Sequence, residues 1–172
     1  MDNPKSNKLI LALFGIYFII LTWAVLWKIG IPYIGSGTLR MINPIPFFGS
    51  ERGTFNTISE TCSNIVIFVP FGLYISLLAP KWNFIRRIIP IFLTSFALEA
   101  LQYILAIGRS DVTDLIVNTA GGITGIVVYA LLSRLFGKNM YRAITIICVA
   151  GTVLALIAAG YILTHFMFNG PQ

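Results

Sequence analysis

Seven polar side chains carry whatever chemistry this sequence holds. Glu99, Gln102, Arg109, Asp111, Asp114 and Asn118 crowd into one short stretch, and Asn64 stands apart upstream. Three carboxylates with neighbouring amides suit a hard divalent cation, Mg²⁺ or Ca²⁺, which makes Glu99, Asp111 and Asp114 candidate metal ligands. The same groups suit hydrogen bonds to sugar or peptide groups, with the Arg109 guanidinium taking an anionic head group. Glu99 is the candidate catalytic residue, as the general base of a metal-assisted reaction on a lipid or cell-wall precursor head group. Nucleophilic catalysis has no comparable support. The sole histidine, His165, sits at the end of the last apolar run, where a structural place at the membrane interface suffices, and no Ser/His or Cys/His arrangement accompanies it.

Each member also has a plainer reading. Asp111 suits a helix N-cap and Asp114 the first turn after it, near the positive helix end. Asn64 and Asn118 suit hydrogen-bond glue between helices, and Arg109 alone suits a lipid head-group contact. Glu99 resists such a reading. It lies eight residues before Ile107, about 12 Å down a helix, where a bare carboxylate in lipid costs at least about 2.5 kcal/mol. It must be protonated, paired or facing a wet cleft.

Composition dictates the elements that position these groups. Of 172 residues, 57% are hydrophobic and 10% charged, whereas soluble domains average about 25% charged; the mean hydropathy is +0.86. That balance excludes a single water-soluble domain. A spanning helix needs about 20 apolar residues, and five segments qualify: Leu9 to Trp27, Asn64 to Ala79, Ile88 to Ile107, Leu115 to Phe136, and Ala143 to about Phe166. The second run is short and is expected to start near Ser59, with Glu60 in its first turns. The first follows Lys5 and Lys8 but runs on for nineteen residues without a small-residue cleavage site, so it reads as a retained anchor.

With the amino terminus inside, the inner segments hold Lys5, Lys8, Lys81, Arg86, Arg87, Arg134, Lys138 and Arg142, and the outer ones Lys28, Arg40, Arg52 and Arg109. Eight against four predicts an N-in, C-out topology. The net charge of +6 does not imply nucleic acid, because the basic residues stand at helix ends rather than in a stripe interleaved with aromatics. Membrane lipids are the partner these ends predict. Cys62 and Cys148 fall at different depths and cannot bridge.

Helical spacing decides which polar groups can meet. Ser95, Glu99, Gln102 and Ala106 follow an i, i+4, i+7, i+11 pattern on the third helix, and Asp111, Asp114, Asn118, Gly122 and Gly125 do the same on the fourth. Two antiparallel helices joined by so short a turn pack together, which predicts one outward-facing polar cluster between them. Pro70 should kink or locally open the second helix. Gly121, Gly122 and Gly125 should admit a neighbouring backbone against the fourth. The long outer connection, residues 28–58, is rich in Gly and Pro yet carries Tyr33, Ile42, Ile45, Phe47, Phe48 and Phe55; it reads as an interfacial anchor, with a lid over a ligand as the alternative. The whole, residues 1–172, reads as one all-α, five-helix transmembrane domain.

The stretch NIVIFVPFG from Asn64 to Gly72, EALQ from Glu99 to Gln102, and GRSDVTDLIVNTAGGITG from Gly108 to Gly125 resemble the signature of the VanZ-like family over about residues 55–136. The first and fifth helices and the long loop lie outside that signature. The resemblance places the family's polar positions on Asn64, Glu99, Gln102, Arg109, Asp111, Asp114 and Asn118. It implies a multi-pass protein of the bacterial cell membrane, associated with lowered susceptibility to teicoplanin and related lipoglycopeptides, whose fatty tails anchor near lipid-linked cell-wall precursors. The leading expectation is binding or remodelling of such a lipid-linked ligand, or of the lipoglycopeptide itself, rather than catalysis. A metal-assisted enzyme comes second, and a small transporter third, since five helices without an inverted repeat offer little for alternating access.

Overall fold

The computed structural model describes residues 4–27, 41–44, 54–107, 109–137 and 140–169. Among the described residues five helices follow one another: α1 (Pro4–Leu26), α2 (Thr54–Leu78), α3 (Phe84–Leu105), α4 (Val112–Phe136) and α5 (Met140–Asn169). Each contains a stretch long and apolar enough to cross a membrane. All five outrun or shift the apolar runs that announce them. The largest shift from an apolar run is in α2, which begins at Thr54, ahead of both the run at Asn64 and the start expected near Ser59, because the polar TFNTISETCS segment can be helical without registering as hydrophobic. At α3 the side chain of Asn83 accepts from the Arg86 N–H at 2.9 Å, the N-cap bond that opens the helix ahead of Ile88.

Lipid is as apolar as leucine, so helices gain little by hiding apolar faces from it and associate through close packing instead. Gly72, Gly121 and Gly125 provide the closest approach. A methyl group added at Gly125 would lie 3.0 Å from Gly72 Cα, and one at Gly121 would lie 2.9 Å from Ile65 Cα. Contacts of Gly121 with Ile65 and of Gly125 with Val69 climb both chains together, so α2 and α4 run parallel with backbone against backbone. Intramolecular packing is thus the role of these glycines, and the admitted neighbour is α2. Against α3 the order reverses, with Asn118 beside Ser95, Gly122 under Ile91 and Tyr129 beneath Arg87. Helix α4 is therefore wedged between α2 and α3.

An aromatic seam joins α1 to α2, with Phe14 and Tyr17 each about one ring away from Tyr74 (centroids 5.5 and 5.4 Å) and Phe14 equally close to Phe71 (5.5 Å). Helix α2 is continuous through Pro70, which has no N–H to give the carbonyl of Val66. One residue on, Tyr17 donates to the Ile67 carbonyl at 2.6 Å and so serves the turn that proline loosens. Tyr74 and Thr152 share a hydroxyl hydrogen bond of 2.7 Å that ties α5 to the bundle. Both cysteines are free thiols, Cys62 exposed and Cys148 buried.

One feature departs from a purely helical fold. Met41–Asn43 (β1) pairs in parallel with Arg109–Asp111 (β2), in the register Met41 to Arg109, Ile42 to Ser110 and Asn43 to Asp111. The long connection is thereby stitched to the turn between α3 and α4. Of its aromatic and aliphatic anchors, Ile42 is 61% exposed; Tyr33, Ile45, Phe47, Phe48 and the Phe55 side chain lie outside the described residues, as do the side chain of His165 and the residues Lys28, Arg40 and Arg52.

Candidate functional site

The α3 stripe folds inward as its spacing requires. Ser95, Glu99, Gln102 and Ala106 are 0%, 5%, 1% and 2% exposed, while Phe96 and Ile104 on the opposite face are 56% and 62% exposed. The helix stops at Ala106, whose φ of 53° turns the chain left-handed and lets its N–H reach back to the carbonyls of Gln102 and Tyr103. An L-residue held there costs about 1–2 kcal/mol, which the surrounding packing must supply. This abrupt exit carries the chain straight into β2 and delivers Asp111 back over Glu99.

Asp111 is the junction. Its backbone N–H donates to Glu99 Oε2 at 2.9 Å, Oδ1 accepts from the Thr113 N–H at 2.8 Å, and Oδ2 accepts from Asn43 Nδ2 at 3.0 Å. The N-cap reading of Asp111 is correct, and the same carboxylate also holds β1. Asp114, in the first turn of α4, accepts from Asn64 Nδ2 at 2.7 Å, so it too does more than stabilise a helix end. Deeper, Asn118 Nδ2 donates to Ser95 Oγ at 3.0 Å. Gln102 reaches the other way and donates to the Val25 carbonyl at the end of α1, at 2.8 Å. Arg109 pairs with Met41 within the strand pair; its side chain lies outside the described residues.

The cluster is accordingly broader than a cleft between α3 and α4. Helix α4 turns Asp114 toward α2 and Asn118 toward α3, while Gln102 bonds α1 and Asp111 bonds β1. Asn43 was not recognisable as a member. An Asn-Pro pair inside a Gly- and Pro-rich connection reads as a turn, and its partner is 68 residues away.

The candidate metal ligands Glu99, Asp111 and Asp114 are bonded separately. Among the described residues no three Asp, Glu, His or Cys side chains converge so as to hold a metal ion. The physical reason is visible in the bonding: each carboxylate is turned to a different donor, a backbone N–H for Glu99, Thr113 and Asn43 for Asp111, and Asn64 for Asp114.

Two buried acceptors are left over. Among the described residues no donor reaches Gln102 Oε1 or Asn118 Oδ1, although their residues are 1% and 0% exposed. They stand on either side of Glu99 along the bundle, because Ser95, the partner of Asn118, precedes Gln102 by seven residues, or about 10 Å of helix. What this arrangement does chemically is accept hydrogen bonds. Its amide carbonyls and carboxylates are of the kind that accept from O–H or N–H donors, and Arg109 lies in the same turn.

The comparisons with known proteins bear on this arrangement. The family model for VanZ/LLP1 matches residues 14–133, which extends well beyond the signature stretch into α1 and the long connection, and so includes Asn43 with the seven candidate residues. Protein VanZ of Enterococcus faecium is 31% identical over 160 residues, which cover 91% of this chain and 94% of that relative. No solved structure matches. With a family match over most of its length and five helices built to span lipid, this chain belongs to the VanZ/LLP1 family and is a multi-pass protein of the bacterial cell membrane.

Proposed function

We propose that this chain lowers susceptibility to glycopeptide antibiotics, those with lipid tails of the teicoplanin type in particular, by binding or remodelling a lipid-linked ligand in the polar cluster at the α3–α4 turn. The ligand is the lipoglycopeptide itself or a lipid-linked cell-wall precursor. The family supports the first part of this reading, since a VanZ-like protein is associated with glycopeptide resistance. The observation that carries the rest is the pair of unserved acceptors, Gln102 Oε1 and Asn118 Oδ1, flanking the buried Glu99. A buried acceptor left without a donor costs about 1–3 kcal/mol, and two beside one buried acid suit a site that a ligand completes. Sugar hydroxyls and peptide N–H groups are such donors. Arg109 takes the ligand's anionic group, and Asn64, Asp111 and Asp114 line the approach. An N-in topology, drawn from the basic residues, turns the cluster outward, where glycopeptides and precursors meet. The separate bonding of the three carboxylates favours recognition over metal-assisted chemistry.

The test is a resistance assay at matched membrane abundance with Glu99→Gln and Arg109→Ala. Glu99→Gln keeps volume and hydrogen bonding, and a neutral amide is cheaper in lipid than a carboxylate, so the protein should fold while protection is lost in both variants. Full protection by Glu99→Gln at normal abundance would remove the acid from the mechanism.

A further inference from the structure

The opposite end of the bundle carries a second, unrelated arrangement. Lys81, Arg86, Arg87, Arg134 and Arg142 gather where α2 and α4 end and α3 and α5 begin. No Asp or Glu occurs between residues 61 and 98 or after 114, so the sequence supplies this end with almost no counter-charge of its own. Arg87 is already placed: its Nη2 donates to the Pro80 carbonyl at 2.9 Å, and its guanidinium lies 5.4 Å from the centre of the Tyr129 ring. Arg134 is exposed in the last turn of α4. It closes one end of an apolar groove lined by Phe84 of α3 and by Ile126, Val127, Ala130 and Leu131 of α4.

The groove's shape follows from the helix repeat. Ile126, Ala130 and Arg134 are spaced four apart and form a single line along α4, and small Ala130 makes the hollow between Phe84 and Leu131. Its lining is almost wholly apolar, with Arg134 among the lining residues, and its volume of about 230 Å³ falls below the roughly 300–1,000 Å³ of whole-ligand pockets. That is room for part of one hydrocarbon chain. Bulk lipid could lie against any helix, but an apolar channel that ends in an arginine, at an end with almost no carboxylates, selects on charge.

We propose that this groove is a binding site for an anionic phospholipid. One acyl chain lies along Ile126 to Leu131 against Phe84, and the phosphate engages Arg134, with exposed Arg86 in the first turn of α3 adding to the field. Guanidinium suits the role because its fork of N–H donors meets phosphate oxygens in pairs. The site is independent of the polar cluster and of the function proposed for it.

The experiment uses the full chain, purified in mild detergent and titrated with dimyristoyl phosphatidylglycerol or dimyristoyl phosphatidylcholine, with bound lipid counted by native mass spectrometry. The expected result is preferential retention of phosphatidylglycerol. Arg134→Gln should lower that preference by about fivefold, the worth of one basic residue near an anionic surface, and Ala130→Phe, which fills the hollow, should reduce binding of both lipids. Thermal unfolding of each variant separates lost binding from lost fold. Equal retention of the two lipids by the unaltered chain overturns the proposal, as does a preference that survives Arg134→Gln or binding unaffected by Ala130→Phe in a folded protein.

Discussion

Alanine at Gly125 should damage this protein, whereas alanine at Gly151 should not. A methyl group at position 125 would stand 3.0 Å from Gly72 Cα and 3.0 Å from the Val69 carbonyl carbon, with the Val69 oxygen nearer still. Carbon atoms rest at about 3.5 Å or more, so α2 and α4 must part by roughly 0.5 Å or more. Every obstructing atom is backbone, and no side chain can rotate out of the way. Overpacking of this kind costs about 1–3 kcal/mol, offset by about 1 kcal/mol because alanine is the better helix former. Gly151 has nothing within 4 Å of an added methyl and collects the helix gain alone. The two variants therefore differ by the overpacking cost, about 1–3 kcal/mol, measurable as a difference in SDS-induced unfolding in detergent micelles. A functional loss should accompany it. Asn64 lies on the displaced helix, and 0.5 Å added to its 2.7 Å bond with Asp114 reaches the limit of about 3.2 Å for such a bond. Equal stability of the two variants would refute the claim that α2 and α4 touch through their backbones.

Three other outcomes are expected. Asn43→Ala removes the side-chain tie between β1 and Asp111, worth about 1 kcal/mol, and should speed amide hydrogen exchange at Ser110 and Asp111 about fivefold; unchanged exchange would mean the strand pair holds without it. A double-mutant cycle of Asn64→Leu and Asp114→Ala should return a coupling of about 0.6–1.7 kcal/mol, the average-to-maximum range for hydrogen bonds between membrane helices, and additive effects would show that the 2.7 Å bond contributes nothing. In a background lacking the native cysteines, Asn83→Cys should react with an impermeant thiol reagent only from the cytoplasmic side. Labelling from outside would invert the topology and with it the proposed exposure of the polar cluster.

Periodicity in the sequence carries much of this structure. Five apolar runs became five helices, and the polar stripe from Ser95 to Ala106 was readable because a 3.6-residue repeat assigns faces before any neighbour is known. Hydropathy fails at Thr54, where a polar segment is helical without registering as an apolar run. Pairing partners are harder. The short turn between α3 and α4 suggested that their polar stripes face each other or flank one cleft, yet the glycines of α4 bring α2 closer than any loop length could indicate. Asn43 was invisible for another reason. Three-residue strands have almost no propensity signal, and this one is created by the partner it finds far along the chain.

The crowding at Asp111 has a consequence for genetics. One residue opens α4, holds β1 through the chain and the side chain, and presents its own N–H to Glu99. Substitutions other than Asn, Ser or Thr remove the cap and the tie to Asn43 in one step, so a saturation screen for resistance will rank position 111 among the less tolerant while saying nothing about the proposed ligand. Position 118 is more informative. Asn118 uses its amide N–H on Ser95 and leaves its carbonyl oxygen unserved, so substitutions that retain one capability and change the other pull scaffold and recognition apart. Under the proposed function, suppressors selected in a background altered at Asn118, but not at Asp111, should map onto the ligand's side of the interaction.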